Sequence, residues 1–281
     1  MKSSLVQWSL TLGAIGSLLA GHWLSPAPAL ALPEEQVLQT LAPVPVFVVT
    51  EDNFPLFVVL QPNADGEAPP ANVPVSGVFI RLQDAQAFVE NLQQRDPEGS
   101  ESLEIEVVSL AQVYELERRL NEEAAANEIE EDPEFIFVPP DDQRDNASQI
   151  LEESGRSSAN FSGVPLFLAR AVNSDDPNDT NYLTIQRGEE ARVPAYFTRE
   201  QVDQAINLFR EQNPDDNGNL EIEIEVISLE GFINSLQTRN EEDLSKIVLV
   251  PHWETLQLLQ QASEQAPQVP SEEANPMLPE Q

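Results

Sequence analysis

Apolar positions along the chain follow two periods. Ala85, Phe88, Val89 and Leu92 recur at i, i+3, i+4 and i+7, and so do Val202, Ala205, Ile206 and Phe209; that spacing gathers each set on one face of an amphipathic helix. Leu103 to Val108 and Leu220 to Ile227 instead alternate apolar with acidic residues, the period of a strand with one buried face. A second helix is predicted to follow each of these strands. One starts at Ser109 and presents Leu110, Val113 and Tyr114; the other starts at Ser228 and presents Leu229, Phe232, Ile233 and Leu236. Ser109 with Gln112, and Thr198 with Gln201, have the spacing of a capping box, in which a hydroxyl and an amide satisfy the first free N–H groups of a helix.

These elements recur in order. Val44 to Val49 (VPVFVV) returns as Val164 to Ala169 (VPLFLA), and Val78-Phe79-Ile80 returns as Ala195-Tyr196-Phe197, each followed by its amphipathic helix. Leu103 to Leu110 returns as Glu221 to Leu229, and Phe135 to Pro139 returns as Ile247 to Pro251. The chain reads as a tandem duplication of a unit of roughly one hundred residues, a common domain size. Each unit is read as β-β-α-β-α-β, which predicts an α+β fold of pseudo-twofold design with helices packed on one side of a sheet. The first unit is assigned to residues 32–140 and the second to residues 161–264, joined by a polar linker at 141–160 with a short helix around Ile150 and Leu151. Asn173 to Asn181, rich in Asp and Asn, is read as the connection between the first two strands of the second unit, and Gln61 to Asn72 as its counterpart. Asn121 to Pro133 reads as an acidic insertion, Trp253 to Ala262 as a terminal helix, and residues 265–281 as an unstructured Pro/Glu-rich tail.

The N-terminus breaks the pattern. Lys2 is the only charge before Glu34, Leu5 to Leu19 is apolar, and the stretch ends in small residues at Ala27, Ala29 and Ala31. A basic start, a short apolar run and an A-x-A site predict a secretory signal peptide over residues 1–31, cleaved after Ala31, which leaves no integral membrane span.

Charge narrows the function. With 49 acidic against 14 basic side chains the formal net charge is −35, which leaves no electrostatic footing for nucleic acid, whose affinity comes largely from Lys and Arg on phosphates. With no cysteine in the chain, thiol catalysis, disulfides and zinc–thiolate sites are excluded. After cleavage the sole histidine is His252, between Pro251 and Trp253, and it is read as an inert residue at a strand end beside a packed Trp253; no Gly-x-Ser-x-Gly elbow is present. Glu104, Glu106, Glu221, Glu223 and Glu225 fall on the solvated face of their strands. Asp215 to Asn219 lacks the Gly and the closing Glu of a calcium loop and is read as a turn. Asp175, Asp176, Asn178 and Asp179 are the densest cation candidate, but no metal site is assigned. No enzyme activity and no cofactor are predicted.

The Val-Pro-aromatic strand, the apolar strand entering an Asp-Ala-Gln helix (Phe79 to Gln86) and the run Ser109 to Leu116 resemble the twenty-two-kilodalton subunit family of the chloroplast inner-envelope translocon, and the match takes in both repeats. The resemblance implies a cyanobacterial member, exported to the periplasm or thylakoid lumen or held at a membrane surface, with a butterfly-like α+β fold and apolar pockets. It also implies a chaperone role toward unfolded precursor proteins, linked to outer-membrane biogenesis with the Omp85-type assembly machinery. An apolar patch of a few hundred Å² offers several kcal/mol of gross attraction at roughly 25 cal/mol per Å²; association costs consume most of it, which suits weak, reversible capture. The client-binding candidates are Phe54 and Phe57 beside the first strand, Phe79 with Tyr196 and Phe197, and Tyr114 with Phe232 and Ile233, expected at the junction between the halves. The alternative is an acidic adaptor that docks folded translocation machinery through its charged face.

Overall fold

The computed structural model describes residues 10–12, 32–59, 73–127, 133–173, 176–214, 220–239 and 243–265. Helix α1 (Glu34–Leu41) precedes a first sheet of β2 (Pro45–Glu51), β3 (Phe54–Pro55), β4 (Val58–Val59), β5 (Pro74–Phe79), β6 (Leu103–Ser109) and β7 (Glu134–Val138), with α2 (Leu82–Arg95) and α3 (Leu110–Ala126) between its strands. Helix α4 (Asp141–Glu153) leads to a second sheet of β8 (Pro165–Asn173), β9 (Asp176–Arg187), β10 (Glu190–Tyr196), β11 (Leu220–Ser228) and β12 (Ile247–Val250). Helices α5 (Arg199–Gln212) and α6 (Leu229–Thr238) lie within that half and α7 (Trp253–Gln265) closes it. Strand β1 (Leu10–Leu12) joins the second sheet along β9.

Both sheets carry the same pairing scheme. Strand β2 runs antiparallel to β6 and β8 antiparallel to β11, while β5 is parallel to β7 and β10 parallel to β12. The strands of each half meet antiparallel at matching places, Phe47 opposite Phe79 and Phe167 opposite Tyr196. The architecture is thus α+β, with two mixed sheets and seven α-helices among the described residues.

Alternation along the strands explains the layers. Val46 and Val48 of β2 point into one large cluster with Leu166 and Leu168 of β8, and the helices α1, α3 and α6 fill it with Val37, Leu41, Leu110, Leu229, Phe232 and Leu236. Phe47 and Val49 point the other way, to Phe79 and the Ala85 and Val89 face of α2. Phe167 and Ala169 likewise face α5, through Val202, Ala205, Ile206 and Phe209, and α4. Each sheet is therefore covered by helices on both faces, where helices on one side were expected: a strand such as VPVFVV is apolar at every position, and so needs two buried faces. The three-helix layer between the sheets is common to both halves.

Caps follow the predicted spacing. Ser109 Oγ accepts from Gln112 N at 3.2 Å and Gln112 Oε1 accepts from Ser109 N at 2.8 Å, a complete box at the start of α3. Thr198 Oγ1 accepts from Gln201 N at 3.2 Å, but the Gln201 amide donates to the Pro251 carbonyl at 2.9 Å and ties α5 to the segment before α7.

Four stretches differ from the reading of the sequence. Helix α1 has no predicted counterpart, since the pattern is read from the strand at Val44 onward. The linker carries a longer helix than the short one read around Ile150 and Leu151: the thirteen residues of α4, whose Ala147, Ile150 and Leu151 are buried against α5 and the second sheet. The Asn173 to Asn181 connection is largely strand, since β8 runs to Asn173 and β9 begins at Asp176; pairing with β8 overrides the weak strand preference of Asp and Asn. Helix α3 extends to Ala126 into the stretch read as an insertion. Gln61 to Asn72, Asp215 to Asn219, the tail beyond Gln265 and most of residues 1–31 lie outside the described residues.

Candidate functional site

Helix α6 lies between two hollows. Its buried side faces a cavity of about 310 Å³ lined by Leu168, Tyr182, Val193, Ile227, Phe232 and Ile247, with Ser235, Arg239 and Asp243 as polar neighbours. A wider cleft of about 690 Å³ opens where the two halves meet, between Tyr114 and Glu117 of α3, Phe135 and Phe137 of β7, the turn at Gly163, and Glu230, Ile233 and Gln237 of α6. Ser228 and Gly231 touch both spaces. The first turn of α6 is held by Ser228 Oγ, which accepts from Gly231 N at 3.1 Å.

Polar groups fix the cleft walls. Gln237 Nε2 donates to the Tyr114 hydroxyl at 3.2 Å, a hydrogen bond between the halves. The Glu230 carboxylate accepts from Val164 N at 3.1 Å and sits directly over Gly163, where an added Cβ would fall 2.0 Å from its Oε2. Gly163 also has φ of +88°, which L side chains rarely adopt, so glycine is required there twice over. Burial raises the Glu230 carboxyl above its ordinary value, only partly offset by the backbone N–H groups it accepts from. Burial raises Glu117 as well, and Glu134 nearby adds to the rise. Two acids of weakened acidity thus line one largely apolar cleft.

The candidate residues scatter more than expected. Tyr114, Phe232 and Ile233 converge around α6, Phe232 on the smaller hollow and the other two on the junction cleft. Phe79 and Tyr196 do not face the junction: alternation turns both outward, Phe79 into a tilted contact 5.3 Å from Phe88 and Tyr196 into the layer under α5. Phe197 is fully buried in the central cluster. Phe57 packs edge-to-face on Phe135 at 5.7 Å, and Phe54 is 73% exposed on β3, away from the other candidates' clusters. The expectation of an open aromatic group at the junction fails: Phe79 and Tyr196 face away from it, and Phe197 reaches it only as a buried core residue, because adjacent strand positions alternate between faces.

The contacts of Arg81 and Gln143 were not visible in the sequence. Arg81, in front of α2, pairs with Asp84 at 3.0 Å and with Asp142 of α4 at 2.8 Å. Buried Gln143 donates to Asp142 and to Glu200, at 2.8 and 3.0 Å, and accepts from Arg199 N at 2.9 Å, satisfying the first N–H of α5 from outside the helix. His252 is buried beside this network, and its Nδ1 accepts from Glu254 N at 3.3 Å; burial lowers its pKa, which favours the neutral ring. Its neighbour Trp253 is 48% exposed where a packed ring was expected. Among the described residues no group of three or more His, Asp or Glu could hold a metal ion. The side chains of Asp175, Asp176, Asn178 and Asp179 are outside the description.

The sequence model of the Tic22-like family matches residues 13–261. The chain belongs to the Tic22-like family. Two chloroplast relatives, both carrying the name Protein TIC 22, chloroplastic, are similar along most of this chain. The one from Arabidopsis thaliana is 24% identical over 76% of the chain and 66% of its own length; the one from Pisum sativum is 25% identical over 68% of the chain and 64% of its own length. The chain thus spans about two thirds of these Tic22 relatives. Solved Tic22 structures share its fold. Anabaena Tic22, described as a protein of protein transport, superposes with a TM-score of 0.63 at 24% identity, over 82% of this chain and 97% of that one. Tic22 from Plasmodium falciparum superposes with a TM-score of 0.57 at 16% identity, over 81% and 98%. No helix among the described residues is long and apolar enough to cross a membrane.

Proposed function

We propose that this Tic22-like chain acts in protein transport as a non-enzymatic chaperone that shields apolar segments of unfolded precursors. The observation that carries the reading is the pair of hollows sharing helix α6, a smaller, largely apolar one and a wider one at the junction. A soluble domain seldom keeps such space beside Phe, Tyr and Ile side chains, since filling it favours folding. Shallow apolar contact without a deep polar clamp gives weak, fast exchange, as a carrier requires. The strong negative charge keeps apolar surface from self-association. Membership in the family supports transport in the broad sense; unfolded precursors, outer-membrane barrel proteins among them, an Omp85-type partner, and an exported location in periplasm or thylakoid lumen are our extension of it. The matching pairing scheme of the two sheets likewise supports an origin by duplication.

Aggregation of a denatured barrel protein tests the reading. The chain at stoichiometric concentration is expected to suppress light scattering, and Ser235→Phe, which places a benzyl group in the smaller hollow under α6, is expected to lower that suppression several-fold with no loss of thermal stability. Absence of suppression by the unmodified chain would refute it.

A second reading has its own observation. Glu153, Glu221, Glu223 and Glu225 line one groove with Arg170, which is paired with Glu223 at 2.7 Å, an acidic face suited to docking a basic, folded partner. Docking of that kind weakens as ionic strength rises from 50 to 500 mM, on the order of the range over which the Debye length shrinks several-fold, whereas apolar capture does not weaken.

A further inference from the structure

Strand β9 has one partner from outside the two half-sheets. Its residues Leu183, Thr184 and Ile185 pair antiparallel with Leu12, Thr11 and Leu10 of β1, a segment inside the stretch predicted to be removed on export. Leu183, Thr184 and Ile185 are all buried. Ile185 also forms the wall of a groove of about 600 Å³ with Tyr196, Ala205, Leu208 and Trp253, and the backbone of β1 lies against α5, which supplies Ala205 and Leu208. Leu208 and Trp253 are exposed along the groove.

A sheet edge is a row of N–H and C=O groups that seek a strand. If the predicted cleavage after Ala31 occurs, β1 is removed and the sheet edge it covers along Leu183 to Ile185 faces the apolar groove. We propose that this edge is a strand-accepting site: in the processed chain an extended, uncharged, apolar segment of another polypeptide pairs with Leu183 to Ile185, and Leu10 to Leu12 close the site until processing. The chemistry of the occupant is read from the one already present, Leu-Thr-Leu within a stretch from Ser3 to Pro33 that carries no Asp, Glu, Lys or Arg. A net charge of −35 repels acidic segments from the same edge. Main-chain pairing supplies affinity with little demand on sequence, which suits varied clients; the inference deepens the chaperone reading and rests on it.

The test uses the full chain and a fluorescein-labelled peptide copying residues 8–14, followed by fluorescence anisotropy. Thr11→Pro removes an N–H from β1 and keeps it off the edge; this variant is expected to bind the peptide at least tenfold more tightly than the unmodified chain. Because the chain has no cysteine, the double variant Thr11→Cys with Thr184→Cys places a single disulfide across a directly opposed pair, within the reach such a bond needs. Oxidised, it should bind the peptide at least tenfold more weakly than the same molecule reduced, with unchanged circular dichroism. Equal binding by Thr11→Pro and the unmodified chain, or by the oxidised and reduced forms, overturns the proposal. Failure of the chaperone reading is seen separately: peptide binding would follow these expectations while neither chain suppresses aggregation.

Discussion

Glu230 concentrates the residue-scale logic of the junction. Its carboxylate bridges α6 to the turn before β8, and burial makes its charge costly. A carboxyl whose folded pKa is raised takes up a proton on folding, so its contribution favours the folded state below the ordinary carboxylate range and is lost as pH rises through the folded value. Glu230→Gln keeps an oxygen for Val164 N–H and removes the charge; it is expected to leave stability at pH 7 equal or higher and to flatten the melting temperature between pH 4 and 7. Gly163→Ala meets the same carboxylate and a positive φ, and should cost about 1–3 kcal/mol by denaturant titration. Tyr196 gives a signal at the alkaline end, because burial pushes its hydroxyl up to about 12. The unfolded chain loses that proton first, near 10, so stability falls as pH rises from 10 toward 12; the melting temperature should drop more steeply there in the unmodified chain than in Tyr196→Phe.

Single helices and strands show what could be read in advance. The i, i+3, i+4, i+7 sets of α2 and α5, the Ser109–Gln112 box and the succession of helix, strand and helix from α2 to α3 and from α5 to α6 were legible, because local periodicity and caps act within a few residues; helix α1 was not among them. Helix α4 was legible only at its end, as a short helix around Ile150 and Leu151, since Asp141 to Asn146 is polar and only Ala147, Ile150 and Leu151 betray a buried face. Strand β9 was not legible, because its Asp- and Asn-rich start is made a strand by its neighbour. The candidate site was legible in part: Tyr114, Phe232 and Ile233 share helices with an apolar stripe, while Phe79 and Tyr196 were misplaced because a strand buried on both faces gives no cue to which face meets the junction. Gln143 illustrates what lies beyond local pattern, as its partners Arg199 and Glu200 are more than fifty residues away. Replacing it with Leu strands the Arg199 N–H and the Glu200 carboxylate in a part-buried place. A loss of about 1–3 kcal/mol is expected by urea titration, with Gln143→Glu also destabilising because it sets a third carboxylate beside Asp142 and Glu200.

At the scale of the whole molecule, the helix layer between the sheets decides whether the two halves make two domains. Val46, Val78 and Leu110 from one half share a cluster with Leu166, Phe197 and Leu229 from the other, so either half alone would expose the apolar side of its sheet and the buried stripes of α3 or α6. Exposing that many fully buried side chains, each worth about 1.5–3 kcal/mol, exceeds the whole stability of an ordinary domain. The halves should therefore unfold together. Leu110→Ala and Leu229→Ala sit at matching starts of α3 and α6, both completely buried, and each is expected to cost about 2–5 kcal/mol. In calorimetry each variant should show one transition, shifted as a unit and by a similar amount, with the calorimetric enthalpy equal to the van't Hoff enthalpy. Two separable transitions, with Leu110→Ala moving one and Leu229→Ala the other, would mean that the junction is a contact between independent domains and that its cleft can open by hinge motion without disturbing either core.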